Sequence, residues 1–251
     1  MSKQTGSEPR GGVDAVDRAL AILFALADQG QPMTLAELAK ATGLYKSTLL
    51  RLLASLSRGA FVARRADLRY AIGPSGMRLG RAFEATNRVS ECVYPVLLWL
   101  AEQGTESPSF HVRHDDETRL CLFRIDSNHP TLDRVREGDL LPLRRGAPGK
   151  VLRLFASGLP IDPTVPLAVA SFGERDPSCA AVSAPVFGPS GELVGALSLS
   201  GPLERFSPLT VKKMNKPLLA AAERATLAIG GLWPSRLEPG SKRAGKTLIR
   251  A

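Results

Sequence analysis

The sequence predicts an α+β chain in two parts. An all-helical head closed by a small β-hairpin leads through a linker helix into a C-terminal α/β body. Three observations predict it. Between residues 13 and 73, three helical segments with their own stop signals precede two short strand-like runs. Gly73-Pro74 then breaks the pattern. Beyond residue 105, strand-like runs with acidic or Gly-rich turns alternate with single helices.

Composition bounds the function classes. The 251 residues are 44% apolar and 23% charged, which excludes wholesale disorder and a membrane protein. The most apolar run, residues 92–101, is half of the roughly 20 residues a membrane-spanning helix needs. The polar start predicts no signal peptide. Cys92, Cys121 and Cys179 are scattered and odd in number, which excludes a disulfide framework or a zinc finger and predicts a cytoplasmic protein. Lys plus Arg number 33 against 24 Asp plus Glu, a net charge of +9, and nucleic acid is the commonest partner of so basic a chain. Part of that excess lies in the last segment, where Arg236, Lys242, Arg243, Lys246 and Arg250 face only Glu238.

Residues 1–12 read as a polar, flexible arm and residues 13–73 as the head. Val16, Leu20, Leu23 and Ala27 recur at helical spacing, and Gly30 with Pro32 ends that first helix. Thr34-Leu35-Ala36-Glu37 is a capping box that opens a second, Ala-rich helix stopping at Thr42-Gly43. A third helix runs from near Tyr45 to about Arg58 and closes at Gly59. Residues 61–72 read as two strands around Ala66 and Asp67, with Arg64, Arg65 and Arg69 in or near the hairpin.

Residues 74–89 are predicted as the linker helix, with Met77, Leu79 and Phe83 as its apolar side. The body spans 90–234, followed by a basic tail, 235–251. It opens with an amphipathic helix over about residues 90–103. Strands over 110–114 and 119–125 flank the acidic turn Asp115-Asp116-Glu117. A helix over 148–157 stops at Gly158. Strands over 180–187 and 192–200 flank the turn Gly188-Pro189-Ser190-Gly191. Ser207-Pro208 is an N-cap with proline at the first helical position, and the final helix runs to about residue 229 with a kink expected at Pro217.

The head has the pattern of a DNA reader. A short helix, a tight turn carrying Gly43 and a second helix make a helix-turn-helix. At about 100° per residue, Leu49, Leu52, Leu53 and Leu56 fall on one side of the second helix and Ser47, Arg51, Ser55 and Arg58 on the other. Lys46, Ser47 and Thr48 stand at its start, where free backbone N–H groups and short side chains suit phosphates and base edges. Arg51, one turn on, is placed for a guanine edge or a phosphate. Thr34 and Tyr45, at the two helix starts, complete that set, and Arg64, Arg65 and Arg69 make the hairpin a basic wing. The alternative is a small helical bundle with a solvated polar face. It does not account for capping box, Gly turn, polar face and basic hairpin occurring in this order.

Val16-Asp17-Arg18-Ala19-Leu20-Ala21-Ile22-Leu23, Thr34-Leu35-Ala36-Glu37-Leu38-Ala39 and Gly43-Leu44-Tyr45-Lys46-Ser47-Thr48-Leu49-Leu50-Arg51 resemble the head of the isocitrate lyase regulator (IclR) family. In the body, Gly138-Asp139-Leu140-Leu141-Pro142-Leu143 with Gly149-Lys150, Ala184-Pro185-Val186-Phe187, and Ser198-Leu199-Ser200-Gly201-Pro202 are similar to that family as well. The resemblance implies a winged helix-turn-helix, a linker helix and a C-terminal α/β effector-binding domain of GAF-like type. It implies a bacterial transcription factor, dimeric or tetrameric, that answers to small organic or aromatic acids. Two features depart from the family. The crossing at residues 159–178 is short and Pro-rich, which thins one wall of the family's usual pocket, and Ala181 stands where some members carry a pocket cysteine.

The residues of the body read independently in the same direction. In the strand over 192–200, Val194, Ala196, Ser198 and Ser200 share one face, and Ala181 and Ser183 share a face of the strand before it. Small side chains leave volume, and hydroxyls within it can bind an oxyanion. Ala147-Pro148-Gly149 opens a helix whose free N–H groups and dipole favour a carboxylate. With Ser171, these residues form the candidate effector site. The alternative is close packing of a helix on a sheet. No metal or cofactor is expected: His111 and His114 fall on opposite faces of a strand, and the third histidine is His129. Cys121 and Cys179 read as core. No catalytic residues are expected, since no GxSxG, Gly-rich phosphate loop or His-partnered hydroxyl is present. The sequence therefore predicts a non-enzymatic one-component regulator that binds operator DNA and a small effector, the linker helix changing the spacing of two heads. The sign of regulation is open. A regulator whose body only oligomerises remains a second reading, and an enzyme built on the body a third.

Overall fold

The computed structural model describes residues 12–86, 88–129, 131, 133–160, 162 and 164–234, with the side chains of 84–88 excepted. The expected arm, apart from Gly12, and the basic tail lie outside the described residues. The chain divides into two compact units, Met1–Thr86 and Asn87–Ala251.

The first unit holds α1 (Asp14–Gln29), α2 (Leu35–Thr42), α3 (Lys46–Arg58), the hairpin β1 (Val62–Arg64) and β2 (Tyr70–Ile72), and α4 (Pro74–Thr86). The capping box forms: the Thr34 hydroxyl accepts from the Glu37 N–H at 3.2 Å, and the Glu37 carboxylate accepts from the Thr34 N–H at 2.6 Å. Gly43 turns α2 into α3 at φ 68°, a left-handed conformation that a side chain would oppose. The core comprises Ile22, Leu26, Met33, Leu38, Leu49, Leu53, Val62 and Tyr70, with Leu52 and Leu56 packed against it. Met33 and Tyr70 exchange backbone hydrogen bonds of 2.8 and 2.7 Å, which pins β2 to the loop between α1 and α2.

One face differs from expectation. Of the apolar residues predicted to line α1, only Leu23 is packed against the core; Val16, Leu20 and Ala27 are exposed, and Ile22 and Leu26 are buried instead. A helix this apolar carries two stripes at 3.6-residue spacing, and the docking of α2 and α3 decides which one is buried.

The second unit contains α5 (Arg88–Glu102), β3 (Ser107–Arg113), β4 (Thr118–Arg124), β5 (Leu140–Pro142), α6 (Ala147–Leu154), β6 (Val169–Phe172), β7 (Cys179–Phe187), β8 (Leu193–Pro202), a 3₁₀ turn (Leu203–Arg205) and α7 (Pro208–Ala228). The strands form one antiparallel sheet in the order β5-β4-β3-β8-β7-β6. Helix α5 packs on α7, and α6 lies along β7 and β8. The core joins Val93, Leu97 and Leu100 of α5 to Phe110, Leu197, Leu199 and Leu218. Helix α7 starts as expected, the Ser207 hydroxyl accepting from the Thr210 N–H at 3.1 Å, and runs unbroken through Pro217. Helix α6 stops three residues before the expected end. Phe155 turns into the core, and the Leu159 N–H is drawn to the Gly191 carbonyl at 2.8 Å, so the chain leaves the helix early.

Candidate nucleic-acid interface and ligand cleft

At the start of α3, Tyr45 is 84% exposed, Lys46 and Ser47 are exposed, and Thr48 is half-buried. No side chain caps this start, so the first-turn N–H groups are open to an acceptor. Arg51 is exposed on the same face, and Arg58 donates to the Ser55 hydroxyl at 3.1 Å. Neither Lys46 nor Arg51 enters an ion pair among the described residues. On the hairpin, Arg64 and Arg65 are exposed, with the Arg64 guanidinium 5.8 Å from the centre of the Tyr70 ring. Two expected contacts are employed within the head. Arg69 donates to the Pro32 carbonyl at 3.1 Å and to Glu37 at 3.2 Å, and the Thr34 hydroxyl caps α2. Hydrogen bonds and the Arg69 cation together hold the Glu37 carboxyl below its usual range. The Arg69 charge is thus opposed by Glu37 and, at 3.9 Å, by Asp67.

In the second unit a polar row crosses the sheet. Strand pairing sets Ser107 opposite Ser200 and Ser109 opposite Ser198 across β3 and β8. It sets Ser198 opposite Ser183 and Ser200 opposite Ala181 across β8 and β7, and Ala181 opposite Ser171 across β7 and β6. Each residue belongs to the same face because strand side chains alternate. Ser183 donates to Ser198 at 2.8 Å, and His111 Nε2 shares a 3.0 Å hydrogen bond with Ser109. Over this row lies a small cleft, with a cavity volume of about 30 Å³.

Five of the eight expected effector residues line the cleft: Pro148, Ser171, Ala181, Ser198 and Ser200. Ala147, Gly149 and Ser183 stand behind it. The start of α6 offers less than expected, since the Ala147 N–H is given to the Ser171 hydroxyl at 2.8 Å and Pro148 has no N–H. Gly149 serves packing: a Cβ there would collide with the Leu143 carbonyl oxygen. Cys179, expected in the core, is half-buried in the cleft wall because it opens β7 at the sheet edge; Cys121 is buried, and burial raises its thiol to about 12.

Charge fills the rest of the wall. Arg119 is 2% exposed, and its Nη1 donates to the carbonyls of Pro142 and, at 2.9 Å, Arg145. Its Nε is buried with no hydrogen-bond partner. Burial, then the nearby Arg175 cation, lowers the guanidinium to about 10. His111 is equally buried, and its Nδ1 also lacks a partner. Burial and the Arg119, Arg124 and Arg175 cations hold that imidazole well below its ordinary value, hence neutral. Arg124 bonds Asp126 at 2.7 Å and approaches Asp133 to 2.6 Å without the alignment of a hydrogen bond. Arg175 reaches the other Asp133 oxygen only at 3.8 Å. Such a wall can hold an anion.

The IclR helix-turn-helix domain model matches residues 15–66. The transcriptional repressor IclR of Escherichia coli is 25% identical, covering 88% of this chain and 92% of its own length. The HTH-type transcriptional regulator BhcR of Paracoccus denitrificans is 26% identical over 89% and 90%. Residues 15–66 thus match an IclR-type helix-turn-helix, and the chain is similar along most of its length to transcriptional regulators of that type. The fold agrees. An IclR transcriptional regulator from Alicyclobacillus acidocaldarius superposes with a TM-score of 0.74 at 22% identity, covering 87% of this chain and 100% of that one. An IclR homologue from Microbacterium hydrocarbonoxydans, solved in complex with 4-hydroxybenzoate, gives 0.71 at 17% identity over 86% and 99%.

Sequence reasoning gave no ligand-binding role to His111, Arg119, Arg124, Asp133 or Arg175. A signal for two of them exists. Arg119 shares the buried phase of β4 with Cys121 and Phe123, and His111 continues the alternation begun by Ser107 and Ser109. An arginine in the buried register of a strand points to a buried acceptor. The short 159–178 crossing still contributes to the wall. It supplies β6, which adds Ser171 to the cleft, and Arg175 follows directly.

Proposed function

We propose that this chain is an IclR-family regulator, a cytoplasmic homodimer that binds operator DNA through α3 and the hairpin wing, and that a small carboxylate in the cleft alters that binding. The observation that carries the effector reading is a pair of buried, unpartnered polar atoms in one wall, Arg119 Nε and His111 Nδ1. An unsatisfied buried polar atom is costly, and an incoming acceptor relieves it. The 4-hydroxybenzoate held by the Microbacterium homologue supports a small acid as the class. Repression is the favoured sign, as in the E. coli relative. These buried, unpartnered atoms favour a regulator with a ligand over a body that only oligomerises.

Ser198→Ala with Ser200→Ala removes two hydroxyls, each worth about 0.5–1.5 kcal/mol. Calorimetric titration with a panel of organic and aromatic acids should find one that binds wild type, and the double variant should bind it about tenfold more weakly. Operator affinity without ligand should barely move. If no acid binds wild type, or the double variant binds equally well, this cleft is not the effector site.

A further inference from the structure

We infer that Leu68, at the tip of the hairpin wing, is an apolar wedge that enters the minor groove beside the half-site and senses how readily that DNA unstacks. This rests on the DNA reading above and deepens it. The turn itself does not favour a leucine. Arg64 pairs with Tyr70 across the hairpin, and the Arg65 N–H closes its tip on the Arg69 carbonyl at 2.8 Å. The Leu68 N–H donates to the Arg65 carbonyl at 3.0 Å, so residues 66–68 form a three-residue loop. Such a loop ends in a left-handed residue, a place that glycine fills without strain. Here Leu68 fills it at φ 65°. A Cβ opposes that conformation, so the backbone alone would take glycine. The head recovers nothing for the leucine, whose side chain is 62% exposed and is neither in the head's core nor packed against it. A disfavoured backbone kept for an exposed apolar side chain points to a contact outside the chain.

The surroundings of Leu68 select that contact. Arg64 and Arg65 are exposed and enter no ion pair among the described residues. The acid of the loop, Asp67, turns back on Arg69: its carboxylate accepts from the Arg69 N–H at 3.2 Å and lies 3.9 Å from Arg69 Nε. The tip therefore presents one leucine beside two cations without counterions. The arm behind it is fixed, since the Arg69 side chain bonds the Pro32 carbonyl and Glu37, and Tyr70 exchanges two backbone hydrogen bonds with Met33. A leucine gains nothing from phosphate oxygens. The minor groove offers it sugar walls and base steps, and the negative potential there draws arginine. Leucine is among the side chains that part base steps from that groove and kink the duplex. Pyrimidine–purine steps part most readily, so the wedge favours them in the flanks without a hydrogen bond to any base.

The test uses the full chain and a duplex that wild type selects from a random library, with 2-aminopurine, which brightens when unstacked, stepped along its flanks. Wild type should brighten a flanking step. Leu68→Gly and Leu68→Asn both suit a left-handed backbone, so both should melt no lower than wild type. Both should bind the duplex about tenfold more weakly, the loss expected when a leucine side chain is no longer buried, and both should leave the step dark. Leu68→Met keeps an apolar wedge and should keep affinity and signal alike. If the Gly and Asn variants bind and brighten the duplex as wild type does, or if wild type brightens no flanking step, Leu68 is not a wedge, and α3 with the arginines carries the DNA reading alone. Lower melting of both variants would show that the leucine serves the turn, and overturns the wedge likewise. Failure of wild type to select any duplex overturns the DNA reading itself, and this inference with it.

Discussion

Arg51 and Lys46 stand five residues apart, both exposed, and the proposed DNA reading gives them distinct roles. Arg51, one turn into α3, would fork onto a base edge, while Lys46 at the helix start would meet the phosphate backbone. Arg51→Ala should cost about 1–3 kcal/mol of specific affinity and relax sequence preference. Lys46→Ala should weaken specific and non-specific binding alike and lower the salt slope by about one, since one counterion fewer is released. Footprinting across a salt series separates the two, and an unchanged footprint for Arg51→Ala would remove α3 as the reader. His111 carries a second residue-scale prediction. Its folded value lies well below the ordinary 6.5, so the unfolded chain binds the proton first. Stability should be complete above about pH 6.5 and fall by up to about 1.4 kcal/mol per unit as pH drops below it. His111→Gln should flatten that slope between pH 5 and 6.5 in urea titrations; an unchanged slope would place the titrating group elsewhere. The serines of the cleft were legible because strand alternation alone puts Ser198 and Ser200 on one face. The arginines were not, because an isolated Arg in a sequence reads as surface until the strand's buried phase is known.

At the scale of elements, signals confined to a few residues were legible and signals made by distant pairing were not. The capping box, the Gly43 turn and the Ser207-Pro208 start depend on contacts within one turn of helix. Strands β5 and β6, of three and four residues, depend on pairing with β4 and β7 and were missed, as was the side of α1 that is buried. The same distinction gives one substitution opposite signs in two helices. Gly80 in α4 is exposed with nothing within 4 Å of an added Cβ, so Gly80→Ala should stabilise by roughly 0.5–1 kcal/mol through helix propensity. Gly149 in α6 lies against the Leu143 carbonyl, backbone that cannot step aside, so Gly149→Ala should destabilise by about 1–3 kcal/mol despite the same propensity gain. Chemical denaturation of both variants checks this. Equal signs would mean that the approach of α6 to Leu143 is not fixed as described.

At the scale of the whole molecule, a single chain leaves α1 half-satisfied. Val13, Val16, Leu20 and Phe24 recur at three- and four-residue intervals on the side away from Ile22 and Leu26, and all four are exposed, Phe24 to 60%. A contiguous apolar stripe of this kind marks an interaction surface. A twofold pairing of chains that covers it would present two copies of α3, and the operator would then repeat as an inverted pair of half-sites. Phe24→Glu places a charge on that stripe without touching the head's core, since the core side of α1 is Ile22 and Leu26. The variant should keep its helical content and melting behaviour, shift toward monomer in sedimentation, and lose affinity for the two-half-site operator far more than for a single half-site. The comparison of the two DNA lengths matters, because damage to α3 would weaken both equally. A wild-type chain that sediments as a monomer while protecting an asymmetric site, or a Phe24→Glu variant that remains fully dimeric on its palindrome, would move the dimer contact away from α1. It would leave the exposed stripe of this helix to another partner.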